Sequence, residues 1–216
     1  MQEAYESQRE EIITATVSKV DPLNGDVVLE TGNGRAVLRH DDQIPGEHLA
    51  VGDQIKVFVM EVNKEQRGPI VLLSRIHPGL VRRLFELEIP EIAEGTVLVK
   101  GVAREAGSRT KISVYSRDED VDPIGACIGN HGMRISGILD ELCGEKIDIV
   151  KYSEVPEEYI ASALSPAQVN SVTMVAERAC RVIVDDDQLS LAIGKEGQNA
   201  RLAARLTGCK IDIKSE

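Results

Sequence analysis

Residues 10–76 alternate between apolar and polar positions, which is the pattern of half-buried β-strands. Breaks rich in Gly, Pro and Asp interrupt the alternation at residues 22–25, 32–34 and 51–53. The pattern therefore predicts five strands, at Ile12–Val20, Asp26–Glu30, Arg35–Leu38, Gln54–Val62 and Ile70–Ser74. Short strands at this spacing indicate a small β-barrel of the OB-fold type. Phe58 is the only aromatic residue in these strands, and a single aromatic is more often a core residue than a base-stacking platform.

After residue 77 the pattern changes to a mixture of helical and strand-like segments. Helical periodicity at Pro78–Leu87 and Pro156–Leu164 predicts two helices. Two hairpins are also predicted, from the strand pairs Thr96–Val102 with Arg109–Ser116 and Val172–Val175 with Ala179–Val184. The turn-prone residues 105–108 support the first hairpin. The residues that join the second pair also suit a helix.

An internal repeat lies in the second half of the chain. Residues 128–149 read IGNHGMRISGILDELCGEKIDI, and residues 193–213 read IGKEGQNARLAARLTGCKIDI. Both copies begin Ile-Gly-x-x-Gly and end Leu-x-Gly-x-Lys-Ile-Asp-Ile. With its flanks, each copy predicts a module in the order helix, strand, strand, helix, glycine loop, helix, strand.

These patterns predict an α+β multidomain chain. We expect the end of a connecting helix or an added leader at 1–9, the OB-fold barrel at 10–76, a first module at 77–151 and a second module at 152–216. Helices are expected to begin at Asp122-Pro123 and at Asp187 as capping residues, and to follow the glycine loops as far as Gly144 and Gly208.

A Gly-x-x-Gly loop between two helices suits a phosphodiester chain. Glycine has no Cβ, so the backbone can approach the ligand, and the N–H groups at the start of the next helix carry partial positive charge. Bases are expected to lie on the adjacent apolar helix face. One such loop is weak support, because a tight helical turn needs the same glycines, but two copies favour the function. The expected RNA-binding residues are Ile128, Gly129, Asn130, His131, Gly132, Arg134, Ile193, Gly194, Lys195, Glu196, Gly197, Gln198, Asn199 and Arg201.

Composition limits the function further. Hydrophobic residues make up 42% of the chain and aromatic residues only 3%, which predicts aliphatic cores. The net charge of −11 argues against non-specific binding of polyanions, so any nucleic acid must contact a local groove. The polar amino terminus and the absence of a long apolar run predict an unexported, cytoplasmic protein without membrane contact. Cys127, Cys143, Cys180 and Cys209 are widely separated and are expected to be reduced core residues.

Several segments are similar to a known family. The principal ones are Val121–Gly129, Glu145–Val150 and Ala192–Ala203, and they are extended by Leu73–Pro78, Leu84–Ile92 and Val102–Lys111. Through them the chain resembles the paired KH domains, of type II topology, in the NusA family of bacterial transcription elongation factors. The resemblance covers most of residues 10–216.

The resemblance implies an S-one RNA-binding barrel followed by two KH domains that bind single-stranded RNA, the nascent transcript, during elongation, termination and antitermination. It also implies contact with RNA polymerase, mainly through an amino-terminal domain that this sequence lacks, and other Nus factors as further candidate partners. The chain is accordingly expected to be a fragment, with a complete short relative as the alternative.

Two other classes of function stay open: an accessory RNA-binding region of an RNA-processing enzyme, and an acidic protein-interaction scaffold. The acidic runs Asp118–Asp122 and Asp185–Asp187 have the oxygen ligands of a divalent cation, but they flank helix starts, where capping is expected. The histidines lack neighbouring ligands, no Ser/His/Asp arrangement is present, and the glycine loops lack P-loop spacing. We therefore expect no catalytic residues, no metal and no cofactor.

Overall fold

The computed structural model describes residues 8–65 and 68–216. Most of the expected connecting helix or leader at 1–9 lies outside the described residues. The chain forms two compact units: one contains residues up to 88 with 106–108 and 137–145, and the other contains 89–105, 109–136 and 146–216. The domain boundaries expected from the sequence stay predictions.

Five antiparallel strands form a nearly closed barrel in the first unit, which confirms the predicted architecture. They are β1 (Ile12–Val20), β2 (Val27–Thr31), β3 (Gly34–Leu38), β4 (Gln54–Glu65) and β5 (Gly68–Ser74). Their order in the sheet is β3-β2-β1-β4-β5, and β3 also approaches β5. A short 3₁₀ turn, His40–Asp42, follows β3.

The barrel core follows the two-residue period of the strands. Buried residues alternate along them, as in Ala15 and Val17 on β1 and Val27 and Leu29 on β2. Phe58 on β4 is also buried, and its ring stacks on His77 with centroids 4.5 Å apart and planes 11° apart. Phe58 is therefore a packing residue in this structure and does not present a free face for a base.

The first module contains one helix more than the sequence pattern predicts. Its elements are α1 (Pro78–Glu88), α2 (Pro90–Ala93), β6 (Val97–Glu105), β7 (Arg109–Ser116), α3 (Pro123–Ile128), α4 (Met133–Glu141) and β8 (Lys146–Lys151). The additional helix α2 begins with Pro90 at its first position, where a missing N–H costs nothing. Strand β7 pairs antiparallel with β6 and parallel with β8.

The second module repeats this arrangement. Its elements are α5 (Pro156–Ala163), β9 (Ser171–Ala176), β10 (Ala179–Val184), α6 (Asp186–Ile193), α7 (Gln198–Thr207) and β11 (Lys210–Ser215). Strand β10 pairs antiparallel with β9 and parallel with β11. The second hairpin is therefore a true pair of strands, even though its connecting residues also suit a helix.

The expected helix caps are confirmed at one glycine-loop helix and wrong at the other. The Asp122 side chain accepts a hydrogen bond from the Ile124 amide at 3.1 Å, and Pro123 begins α3. Asp187 does not cap α6, because that helix begins one residue earlier, after Asp185. The second acidic run thus lies across a helix start, and among the described residues no cluster of His, Cys, Asp or Glu is suited to a metal ion.

The cysteines are free, and their burial differs from the expectation. Cys127 and Cys180 are buried, and burial raises the pKa of the Cys127 thiol to about 12. Cys209 is half-buried, whereas Cys143 is exposed. The expectation of a core position was wrong for Cys143 because the chain leaves α4 there in a left-handed conformation, with φ of 58°.

Within the described residues, no helix has the length and apolar content needed to cross a bilayer.

Two buried cations, Lys111 and Arg75, pair with carboxylates from distant parts of the chain. Lys111 on β7 is 0% exposed, and its Nζ donates to Asp148 Oδ2 at 2.9 Å and to the Ser165 carbonyl at 2.7 Å. Arg109 also contacts Asp148, at 2.7 and 2.8 Å. Arg75, buried in the first unit, pairs with Glu47 and with Glu141 at the end of α4, each at 2.8 Å. A buried ammonium or guanidinium needs such partners, because an isolated charge is costly away from water.

Replacing Asp148 with Asn is expected to destabilise the chain by on the order of 3 kcal/mol, because it leaves the buried Lys111 without its counter-charge. The repeat supplies a matched control: Asp212 holds the same position in the second Lys-Ile-Asp-Ile segment but is 57% exposed. We expect Asp212→Asn to change stability by less than about 0.5 kcal/mol. Urea unfolding of both variants measures the difference, and equal costs would contradict the role of the buried pair.

The same pair predicts a dependence of stability on pH. Burial alone would raise the pKa of Asp148, but the hydrogen bonds and charges of Arg109 and Lys111 outweigh it and lower the pKa below the usual 3.8. A carboxyl with a lowered pKa stabilises the fold above its unfolded pKa and loses that contribution as the pH falls below it. The stability difference between the parent and Asp148→Asn should therefore shrink as the pH is lowered below 3.8, as followed by urea unfolding at each pH.

Candidate nucleic-acid interface

The first glycine loop, residues 129–132, joins α3 to α4 in an unusual backbone conformation. Gly129 has φ of 75° and ψ of 176°, a combination that is essentially restricted to glycine. His131 is left-handed, with φ of 55° and ψ of 26°, and the Gly132 amide closes the turn on the Gly129 carbonyl at 3.2 Å. The two glycines and the left-handed residue between them therefore set the shape of the loop.

The second glycine loop, residues 194–197, has the same conformation to within a few degrees. Gly194 has φ of 78° and ψ of 170°, Glu196 has φ of 55° and ψ of 25°, and the Gly197 amide donates to the Gly194 carbonyl at 3.1 Å. The middle residues are Asn-His in one loop and Lys-Glu in the other. Since only the glycines are shared, glycine spacing and not the middle side chains determines this backbone.

The middle residues of both loops project into solvent. Asn130, His131, Lys195 and Glu196 are all exposed. The helices α4 and α7 begin directly after the loops, and the first turn of a helix carries N–H groups that lack intrahelical acceptors. Each loop therefore presents two exposed side chains to solvent directly before the start of a helix.

Two isoleucines lie exposed beside the loops, as the sequence suggested. Ile128 ends α3 and is 40% exposed, and Ile193 ends α6 and is 38% exposed. Met133, which was not expected, is 74% exposed at the start of α4. The sequence could have indicated this exposure, because Met133 directly follows the second glycine of its loop, where the second module has the polar Gln198. Each loop is thus bordered by apolar surface that a base can cover.

The arginine beside the first loop is not free. Arg134 Nη1 donates to Glu91 Oε2 at 2.6 Å and to the Ala126 carbonyl at 2.7 Å. Glu91 lies on α2, and Ala126 lies on α3. Arg134 therefore ties the loop-bearing helices to α2, and its charge is already balanced by a carboxylate.

The second loop has an equivalent arrangement with a different carboxylate. Glu105, at the end of β6, accepts from Gln198 Nε2 and from Arg201 Nε, both at 2.7 Å. Arg201 Nη1 also donates to the Glu196 carbonyl at 3.0 Å. Burial would raise the pKa of Glu105, but hydrogen bonds from Gln198 and Arg201 and nearby positive charge lower it. Glu105 is consequently ionised and held against the second loop.

Asn199 lies away from the surface on which it was expected. Its side chain is 3% exposed, and its amide nitrogen donates to the Leu164 carbonyl at 3.0 Å and to the Ala192 carbonyl at 2.9 Å. Within the part of the chain that the structure describes, Asn199 Oδ1 has no hydrogen-bond partner. In this conformation Asn199 fastens α7 beneath the loop and does not offer its side chain to a ligand.

The arrangement thus brings together most of the expected residues around two similar loops. The isoleucines, glycines and middle residues lie at the surface, whereas Arg134, Gln198 and Arg201 are engaged by carboxylates. Sequence reasoning missed Glu91 and Glu105, which are separated from their partners by 43 and by 93 to 96 residues. No local pattern marks them.

Comparison with known proteins now identifies the modules. Residues 75–152 match the NusA-like first KH domain, and residues 156–216 match the NusA-like second KH domain. The chain belongs to the NusA family. Proteins of that family described as transcription termination/antitermination protein NusA are 53% identical in Bacillus subtilis, 47% in Mycobacterium tuberculosis and 47% in Thermus thermophilus, each over 97% or 98% of this chain.

The match to NusA covers only part of those relatives. The chain spans 56% of the Bacillus subtilis protein, 63% of the Mycobacterium tuberculosis protein and 54% of the Thermus thermophilus protein. The shared region thus amounts to about half or somewhat more of each relative, and it includes both NusA-like KH domains with their glycine loops.

The loop geometry predicts different costs for the same substitution at its two ends. Asn is tolerated in the left-handed conformation of Gly197, where an added Cβ meets nothing closer than 4.0 Å. At Gly194 the added Cβ would lie 2.7 Å from the Asn199 backbone nitrogen, in a conformation that costs about 1 to 3 kcal/mol. We expect Gly194→Asn to lower the free energy of unfolding by at least this amount and Gly197→Asn by less than about 1 kcal/mol.

Urea unfolding followed by circular dichroism compares these two variants directly. Because both place the same side chain in the same loop, composition and charge are matched. An equal cost at the two positions would show that the first glycine is not held in the glycine-only conformation.

Proposed function

We propose that this chain is a non-catalytic module that binds single-stranded RNA through its two glycine loops. The observation that carries the proposal is the near identity of the two loop backbones, each of which begins a helix beside exposed apolar surface. The two NusA-like KH domains and the names of the relatives support it.

In this mechanism the backbone of each loop holds the sugar–phosphate chain, and the bases lie toward Ile128 and Ile193. Glycine allows the phosphate to approach the main chain, and Lys195 adds a positive charge at the second loop. Asn130 and His131 occupy the middle of the first loop, where their side chains can form hydrogen bonds. Each loop alone is expected to bind RNA weakly. Once one loop holds the strand, the effective concentration of the strand at the other loop is raised.

The local charges reconcile RNA binding with a net charge of −11. Arg134 and Arg201 are paired with Glu91 and Glu105, so the loops do not form a strongly basic patch. Binding then depends on backbone donors, Lys195 and base stacking more than on long-range attraction. A module that binds in this way is expected to prefer a single extended RNA strand to polyanions in general.

The alternatives receive less support. The family match supports RNA binding and does not support an RNA-processing enzyme or an acidic scaffold. We propose further that the RNA is the nascent transcript of RNA polymerase in the bacterial cytoplasm, with other Nus factors as candidate partners. The description of the relatives as termination and antitermination proteins supports this part of the proposal.

Aspartate placed in both loops tests the proposal. Asn130, His131, Lys195 and Glu196 are exposed, so changing all four to Asp should leave the fold intact while repelling phosphate. We expect the affinity for a short unstructured RNA, measured by fluorescence anisotropy across a salt series, to fall by at least about tenfold.

A control with the same total change in charge carries Asp at Ser171, Thr173 and Lys214, which are exposed on β9 and β11. It should bind RNA like the parent, apart from a small uniform electrostatic loss. If the parent and the loop variant bind RNA equally well, the glycine loops do not take part in RNA binding. Release of labelled nucleotides in the presence of Mg²⁺ would support the enzyme instead.

The carboxylate beside the second loop gives an independent prediction. Glu105→Gln removes the charge that holds Arg201, so a phosphate can take its place. We expect RNA binding to tighten by about twofold to fivefold and the slope of log affinity against log salt to steepen by about one. Glu94→Gln, an exposed carboxylate in the same compact unit, is the charge-matched control. If both variants bind alike, Arg201 does not reach the RNA.

A further inference from the structure

Three of the four tyrosines in the chain lie together in the second compact unit. The rings of Tyr115 and Tyr152 meet edge to face with centroids 6.2 Å apart, and those of Tyr152 and Tyr159 are 4.9 Å apart at 72°. Aromatic residues make up only 3% of the sequence, which has no Trp. Three of the six aromatic residues of the chain therefore lie at one place, which we call the tyrosine cluster.

A lysine lies over this cluster. Lys100 Nζ is 5.0 Å from the centroid of Tyr152 and 5.6 Å from that of Tyr115, within the range of cation–π attraction. Lys100 is exposed, and Tyr115 is 41% exposed. Such an exposed cation–π contact is worth only about 0.5 to 1 kcal/mol, so the lysine can leave the rings for a phosphate.

Two tyrosines of the cluster, Tyr152 and Tyr159, form one wall of a cavity of about 550 Å³, within the size range of small-molecule sites. Arg178 in the β9–β10 turn and residues 206–209 at the end of α7 also line it. Tyr159 is held in place, because its hydroxyl lies 2.8 Å from Ser113 Oγ and 3.3 Å from the Leu206 carbonyl oxygen. The cavity thus has a fixed aromatic floor and two cations at its margin.

Two carboxylates, Glu154 and Glu177, line the same cavity and decide which ligand suits it. They balance Lys100 and Arg178, so the site is not built for a polyanion or an acidic peptide. A planar, uncharged ring with amino groups at its edge meets these conditions: aromatic faces stack on it, and carboxylates accept hydrogen bonds from exocyclic amino groups.

We propose that this cavity binds a nucleobase of the RNA strand whose backbone is held by the second glycine loop, by stacking on Tyr152. The inference rests on the proposed RNA-binding function. Helix α7 connects the two places: it begins at Gln198 beside the loop and ends at Thr207 in the cavity wall. Its ten residues span about 15 Å, a distance that a strand of a few nucleotides can bridge.

The absence of Trp and the presence of only four tyrosines make the test direct. Protein labelled with ¹³C in the tyrosine rings is titrated with an unstructured RNA of about 12 nucleotides, a length within the range of single-strand sites. Single Tyr→Phe variants assign the signals. We expect the ring signals of Tyr152 to shift upfield as a base stacks on it, and the loop variant with four Asp residues to abolish the shift.

Substitution at the cluster supplies the second measurement. Tyr152→Leu should weaken binding of the longer RNA by about fivefold or more, because one base loses its stacking partner. Tyr152→Phe keeps the ring and should bind like the parent. An RNA of about 4 nucleotides fills the loop site alone, so Tyr152→Leu should not change its affinity.

The outcomes separate this inference from the proposed function. If RNA binds in a loop-dependent way while the tyrosine signals remain fixed and Tyr152→Leu binds normally, the cavity does not take a base, and a protein partner becomes the better occupant. If the loop variant binds RNA as well as the parent, the proposed function fails and the cavity inference fails with it.

Discussion

The burial of one positive charge constrains the arrangement of both KH domains. Lys111 is inaccessible to solvent, so its ammonium must be matched inside the protein. Asp148 supplies the counter-charge from the neighbouring strand of the first KH domain, and the Ser165 carbonyl supplies a further acceptor from the second. If the two domains moved apart, the Lys111 ammonium would lose a hydrogen-bond partner and become exposed to solvent. Both glycine loops belong to these two domains.

The repeat preserves shape while it varies chemistry. Both glycine loops have the same backbone angles, yet Asn-His occupies one and Lys-Glu the other. Likewise, the aspartate of the Lys-Ile-Asp-Ile segment is part of a buried ion pair in the first copy and is largely exposed in the second. The two modules therefore share the residues that set the main-chain conformation. They differ in side chains whose contacts depend on the rest of the protein.

Local patterns in the sequence predicted the features that local physics controls. Alternation located the barrel strands, glycine spacing located the loops, and Asp122-Pro123 marked a helix start. The errors arose where distant residues decide. Asn199 was assigned to the surface by its polarity, although carbonyls of Leu164 and Ala192 hold it inside. Glu91 and Glu105 carried no signal because their partners are far away in the chain, and Cys143 is exposed because the chain turns out of its helix there.

Glu105 belongs to the first KH domain, whereas Gln198 and Arg201 belong to the second. The Glu105 carboxylate thus competes with a ligand of the second loop for Arg201, and it also links the two domains. Any phosphate that draws Arg201 away from Glu105 also removes this contact between the domains, so occupancy of the second loop weakens one of the polar links that join them.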